Sequence, residues 1–282
     1  MPLVTMKEIL EKARAEKYAV GAFEFWSLDS AQAVVESAQE LSCPAILQAG
    51  FLECEFAGGI KYLSKIARMV AEDASVPVAL HLDHAEDYDF IMTALDNGFT
   101  AVMIDASAMS FDENTALTKK VVDAAKPYGA SVEAELGKLA GSEGSINVKD
   151  EDAAQTDPEE ARIFTELTGI DALAVAIGTA HGFYTFKPKL NIQRLKEIAA
   201  KVSIPLVLHG GSGTPDDMVV EAVENGIAKV NICTEFVAAF GKAYTETQNL
   251  SGFKYSIPGL FEPSKNAGKE LVKSKMKLIG RI

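Results

Sequence analysis

The sequence predicts an α/β fold, a single (β/α)8 TIM barrel with a C-terminal helical extension, on three observations. Eight short apolar runs alternate with amphipathic stretches, most of the runs lack strict polar–apolar alternation, and no linker or low-complexity segment divides the 282 residues. The runs are residues 19–23, 44–49, 77–84, 101–107, 131–137, 172–178, 205–210 and 228–234, each rich in Val, Ile, Leu or Ala. A continuous apolar run marks a strand covered on both faces, as in a parallel sheet. Strands alternating with helices leave a closed barrel or a doubly wound sheet. The count of eight, in one domain over residues 1–282, favours the barrel.

The stretches between the runs carry helix punctuation. The helix expected over 28–41 opens with Asp29 and Ser30 near its cap. Asp157-Pro158 suits an Asp cap with Pro at the first helical position, and Thr214-Pro215 reads the same way. Gly98, Gly169 and Gly226 each follow a helical stretch, where a left-handed cap favours Gly. One connection, 138–155, is long and polar, with Gly141 and Gly144. A loop of that length in a compact domain is usually functional.

Composition narrows the function classes. Nearly half the residues are apolar (48 %), enough for a large core. No run of about eighteen apolar residues suggests a membrane span. Residues 1–10 lack the basic-then-apolar pattern of a secretory signal, so a cytoplasmic protein is expected. A formal net charge of -13 repels nucleic acid and anionic membranes, so neither is an expected partner. A local pocket can still bind a phosphorylated substrate. Cys43, Cys54 and Cys233 are scattered, with no CxxC pair, and read as free thiols.

The four histidines are His81, His84, His181 and His209. All lie at or beside the end of an expected strand, the face on which barrels build active sites. His84, His181 and His209 follow three different strands, as three imidazoles of a zinc site with an open position would. His81 lies deeper in its strand and reads as a supporting or core residue. Carboxylates share the face: Asp83, Asp105, Glu133 and Glu135. A charge inside an apolar strand needs a partner. Proton transfer, metal ligation and orientation of a histidine are open roles for them, beside a purely structural network.

The turn His209-Gly210-Gly211-Ser212-Gly213 precedes a helix, and Asn231-Ile232-Cys233-Thr234 ends the eighth run. Loops after the last two strands are the usual phosphate site of this fold, through exposed backbone N–H groups. A Schiff-base mechanism needs a lysine at the reacting carbonyl. No lysine ends an expected strand, and Lys229 is placed near the start of its run, away from the catalytic face. A metal is therefore expected to supply the electrophile.

These motifs resemble the class II fructose-bisphosphate and tagatose-bisphosphate aldolase family: HLDH at 81–84, VMIDAS at 102–107, VEAELGKL at 132–139, LAVAIGTAHG at 173–182, PLVLHGGSG at 205–213 and KVNICTE at 229–235. The tagatose-type branch looks nearer. The resemblance implies a zinc ion on His84, His181 and His209, and Asp83 as proton donor and acceptor at the hydroxyl of the cleaved bond. It implies that Gly182, Gly210, Gly211, Ser212, Asn231, Ile232, Cys233 and Thr234 hold dihydroxyacetone phosphate. Asp105 and Glu135 match positions for a second divalent metal or a monovalent cation. Glu143 matches a loop glutamate that exchanges a proton with the enediolate, although Ala140-Gly141-Ser142-Glu143-Gly144 departs from the family's Gly-Gly-x-Glu-Asp. A phosphorylated ketose and a homodimer or homotetramer are the partners it implies.

The aldehyde side differs. Glu24-Phe25-Trp26-Ser27 stands where the family has Asn after Ala-Phe, and Gln48-Ala49-Gly50 lacks the usual Ser or Thr. The Asp-Pro-Arg-type motif is absent, with Ser251-Gly252-Phe253-Lys254-Tyr255 in its region. Lost hydroxyl and arginine groups and a new carboxylate should weaken a second phosphate, unless Lys254 or another subunit supplies the charge. A different metal-dependent barrel enzyme (a hydrolase or isomerase) and a non-catalytic sugar-phosphate binder are the alternative readings.

Overall fold

The computed structural model describes residues 3–138, 141–143, 146–148, 154–180, 188–250 and 256–282, with the backbone alone at 141–143 and 146–148. Strands β1 (Val20–Glu24), β2 (Ala45–Ala49), β3 (Val78–Ala85), β4 (Ala101–Ile104), β5 (Ser131–Leu136), β8 (Ala172–Val175), β9 (Leu206–Leu208) and β10 (Ile227–Ile232) form the barrel. They close in the order β1-β10-β9-β8-β5-β4-β3-β2, and every pairing is parallel. The two remaining strands, β6 (Gly141–Glu143) and β7 (Ile146–Val148), make an antiparallel hairpin inside the connection expected to be a loop. A bridge between Lys138 and Ala154 closes its base.

Around the barrel run α2 (Leu28–Leu41), α3 (Phe51–Phe56), α4 (Ile60–Glu72), α5 (Tyr88–Asp96), α6 (Phe111–Ala125), α7 (Pro158–Thr168), α8 (Ile192–Lys201), α9 (Asp216–Glu224) and α10 (Thr234–Gln248). The expected extension is α11 (Ile257–Gly280), which lies against α10 and α2. Lys265 and Lys269 of α11 reach Glu36 of α2 at 2.6 and 2.8 Å. No helix among the described residues is long and apolar enough to cross a membrane.

Local chemistry explains most helix ends, with two corrections. Helix α2 is capped by Ser27, two residues before the expected Asp29, reciprocally with Ser30. Asp157 caps α7 ahead of Pro158, as expected. Pro215 is itself the cap residue of α9, not its first helical residue, and no side chain caps that helix. Most strands also stop short of the apolar runs, because the residues past their ends turn toward the barrel mouth.

A parallel strand buried on both faces shows its period in size and polarity rather than in exposure. Leu80 and Leu82 of β3, Val102 and Ile104 of β4, and Leu206 and Leu208 of β9 belong to the core between sheet and helices. The intervening residues point into the barrel. Its lower layers are small and apolar, with Ala22, Ile46, Ala79, Ala101, Ala172, Ala174 and Val207 packed on Met6, Ile9 and Leu10 of α1 (Met6–Glu16). Helix α1 therefore plugs the barrel floor. Two residues further along β1, β2, β3 and beyond β9, the same rows carry Glu24, Gln48, His81 and His209, and the interior becomes polar.

Candidate active site

By strand parity His84 should point outward, because His81 and Asp83 occupy the inward positions of β3. Two local features turn it in. The pairing of β3 with β4 slips between Leu82 and Ala85, and His84 adopts φ +43, left-handed for a residue with a Cβ. Such a conformation costs roughly 1–3 kcal/mol and persists only where surrounding contacts fix it. Here Nδ1 of His84 lies 2.7 Å from Asp105 Oδ2. The other oxygen, Oδ1, accepts the Ser107 hydroxyl at 2.7 Å and its backbone N–H at 3.1 Å. Burial alone would raise the Asp105 pKa, but these bonds and the imidazole hold it down at about 2.

His209 mirrors this arrangement. Its Nε2 lies 2.8 Å from Glu133 Oε1, and Glu133 Oε2 accepts the ammonium of Lys229 at 2.8 Å. His209, Glu133 and Lys229 are all fully buried. Burial opposes the Glu133 charge, yet Lys229 and His209 together drive its pKa far below the usual range. Burial, followed by the neighbouring His84, lowers the His209 pKa.

The two rings meet edge to face, with His84 Nε2 and His209 Nδ1 2.8 Å apart. Each imidazole uses its other nitrogen as N–H donor to a carboxylate. A proton or a metal cation can then sit between the facing nitrogens. Two imidazoles aimed at one point, with Asp83 beside them, make a donor set that fits a divalent ion. A second set, His84, Asp105 and Glu135, has its ligand atoms equally close together. His181 and Gly182 lie outside the described residues, as do residues 251–255 and the side chain of Glu143.

Asp83 sits between two amides. Gln48 Nε2 donates to its Oδ2 at 3.0 Å, and Asn231 Nδ2 donates to the same oxygen at 3.1 Å. Gln48 also donates to Glu24 Oε2 at 3.0 Å, and Gly50 N–H donates to Glu24 Oε1 at 2.7 Å. With their N–H groups committed to carboxylates, the amide oxygens Gln48 Oε1 and Asn231 Oδ1 stay buried without a hydrogen-bond partner among the described residues. An orphaned buried acceptor costs about 1–3 kcal/mol.

The glycine turn lies where the sequence places it. Gly210 has φ +66, and a Cβ there would collide with the carbonyl of Ala180. A Cβ on Gly211 would meet the Asn231 carbonyl at 2.6 Å, and Gly211 N–H donates to that carbonyl. Helix α10 opens at Thr234 after Cys233, and Ser212 Oγ of the turn accepts Glu235 N–H at 3.3 Å, so the positive end of the helix faces the turn. One residue missed from sequence, Glu235, accepts Gly213 N–H at 3.0 Å and is balanced by Lys275 at 2.9 Å.

Lys229 corrects the sequence reading. It was placed away from the catalytic face, yet its ammonium lies inside the barrel on Glu133, directly beneath His209. The signal was present: Lys229 shares parity with Asn231, an inward residue of the same strand. His81, expected to be a supporting residue, is fully buried among Asp83, Glu133 and Lys229.

Comparison with known proteins agrees with this architecture. The family model for class-II fructose-bisphosphate aldolase matches residues 4–282. A fructose-bisphosphate aldolase from Thermus caldophilus is 42 % identical across 99 % of both chains. One from Staphylococcus aureus strain Mu50 is 41 % identical, covering 99 % of this chain and 98 % of the relative. Among solved structures, the YdjI aldolase of Escherichia coli K12 is 35 % identical with a TM-score of 0.84, covering 99 % of this chain and 97 % of that one.

Burial, then the nearby Lys229 charge, lowers His81 to about 3, against about 6.5 when unfolded. Below the unfolded value the unfolded chain binds the extra proton, so stability is full above pH 6.5 and is lost as pH falls toward 3. Between pH 7 and pH 5, His81 should cost about 2 kcal/mol, and His209 acts with the same sign. Urea unfolding of the chelator-treated protein at both pH values checks this; equal stabilities would contradict a neutral buried His81.

Proposed function

The chain belongs to the class-II fructose-bisphosphate aldolase family, and on that premise we propose that it catalyses a metal-dependent retro-aldol cleavage of a fructose- or tagatose-type ketose phosphate, releasing dihydroxyacetone phosphate. The observation that carries the metal dependence is the convergence of His84 Nε2 and His209 Nδ1, each ring anchored from behind by a carboxylate. His181 is the third ligand in this reading, and zinc is the ion that three imidazoles suit. Asp105 and Glu135 supply, with His84, a second cation position.

When bound, the ion supplies Lewis-acid stabilisation of the negative charge that develops on the ketose oxygens. Asp83 accepts the C4 hydroxyl proton as the C3–C4 bond breaks. The bonding pair stays on C3 and spreads onto the adjacent carbonyl as an enediolate, and Glu143 returns a proton to C3. Gln48 and Asn231 fix Asp83 through their N–H groups and offer their orphaned oxygens to the sugar hydroxyls. Gly182, the turn Gly210, Gly211 and Ser212, and Asn231, Ile232, Cys233 and Thr234 at the junction of β10 and α10 hold dihydroxyacetone phosphate, which fixes the reacting end of the substrate.

The aldehyde half follows from Glu24. Its carboxylate is buried at the end of β1, one amide away from Asp83. An anion there repels a distal phosphate, so the preferred substrate carries a single phosphate, on C1.

A coupled assay of dihydroxyacetone phosphate release tests the reaction. Activity on ketose phosphates should vanish with chelator and return with zinc, and Asp83→Asn should lose about 10²–10⁴-fold in kcat while keeping its zinc. Chelator-insensitive turnover, or phosphate release without a triose phosphate, would overturn the assignment.

The same assay separates the substrates. Fructose 1-phosphate should exceed fructose 1,6-bisphosphate in kcat/KM, and Glu24→Asn should narrow that ratio about tenfold, or ~1.4 kcal/mol. Comparable turnover of both sugars by the unaltered protein would contradict the single-phosphate preference.

A further inference from the structure

One ionic pair lies below the site and takes no part in the reaction just described. Lys229 is the one lysine among the large, fully buried side chains of the described residues. Its Nζ is 2.8 Å from Glu133 Oε2, and the opposite oxygen, Oε1, is 2.8 Å from His209 Nε2. The three groups form a line, ammonium to carboxylate to imidazole, that starts in β10, crosses to β5 and ends just past β9. At its end His209 turns Nδ1 toward His84.

We infer that Lys229 and Glu133 are a positioning pair, which fixes the ring orientation and tautomer of His209 and so sets the metal affinity of the site. This rests on the metal reading above. An imidazole can rotate about its Cβ–Cγ bond or carry its hydrogen on either nitrogen. Only one of those states aims a lone pair at His84 Nε2. Glu133 selects it by accepting from Nε2–H, and an ionised carboxylate is an acceptor only. Lys229 holds the carboxylate in place from its far side. Asp105 does the same for His84 from just past the end of β4, but it is anchored by Ser107, a neutral hydroxyl at the partly exposed mouth. The two histidines are thus held by different means, and only His209 is anchored through a buried lysine–carboxylate pair.

A buried pair of this kind contributes little as a stabilising device, because two well-packed neutral residues often replace it without loss. Removing one partner leaves an uncompensated buried charge and destabilises the fold. That asymmetry separates positioning from structure. Glu133→Gln, Lys229→Met and the double variant are stripped with chelator, and zinc affinity is measured by competition with a chromophoric chelator. Thermal unfolding is measured alongside. Both single variants should bind zinc about 10–100-fold more weakly, the range for loss of a residue that orients a metal-bound histidine. The double variant should regain thermal stability relative to the single ones but not zinc affinity, because its glutamine is no longer an obligatory acceptor. Should the neutral variants fail to fold, Glu133→Asp keeps the charge and withdraws the carboxylate from Nε2. It should weaken zinc binding by a similar factor.

Wild-type zinc affinity in any folded variant would overturn the positioning role and leave the metal site standing. Failure of the unaltered protein to bind zinc would overturn the metal reading and this inference with it. Neither readout depends on turnover, so an error in the assigned substrate leaves the test intact.

Discussion

Two imidazole nitrogens, His84 Nε2 and His209 Nδ1, face each other across 2.8 Å at the mouth of the barrel, and the chain spends stability to keep them there. His84 adopts a left-handed backbone to turn against its strand parity. Asp105 and Glu133 are buried as anions behind the two rings. None of this would survive in a purely structural interior, where the lower layers show the alternative: alanine, valine and isoleucine closed by a helix. The polar upper layer makes sense as a scaffold for an ion that the facing nitrogens share.

The electrostatics of that layer are compensated locally. Glu133 faces Lys229, Asp105 faces Ser107 and His84, and Asp83 is held by two amides. For Glu133 and Asp83 the opposing donors come from other strands, whereas Asp105 is held within its own loop by Ser107. Glu24 joins the same network through Gln48, which places one more negative group beside Asp83 on the side where the aldehyde product would leave. In a protein with a net charge of -13, the proposed reading seats an anionic substrate at a helix N-terminus and a glycine turn, and keeps charge out of the rest of the cavity.

Most of the architecture was legible in the sequence because strands buried on both faces must be apolar throughout. The eight runs located all eight barrel strands, and Asp157-Pro158 and Gly169 marked both ends of α7. Turn chemistry was less legible. Thr214-Pro215 resembles a cap and its first helical residue, but the chain enters α9 one residue later. The hairpin 141–148 hides because its two strands are only three residues each. In the site, the motifs placed His84, Asp83, Asp105, Glu133, Glu135, His209 and Asn231 on one face. The strand slip that turns His84 inward carries no residue signature. Lys229 stands low in β10, but its ammonium reaches Glu133, whose other oxygen anchors His209, and neither contact follows from strand position alone. Glu235 was missed because its role depends on a backbone N–H contributed by the preceding loop.

X-ray absorption at the zinc edge of the reconstituted protein addresses the converging imidazoles most directly. A site built on His84, His209 and His181 should show nitrogen scattering at about 2.0–2.1 Å with the outer-shell pattern of about three imidazole rings. A shell of sulfur at about 2.3 Å, or of oxygen ligands alone, would contradict it.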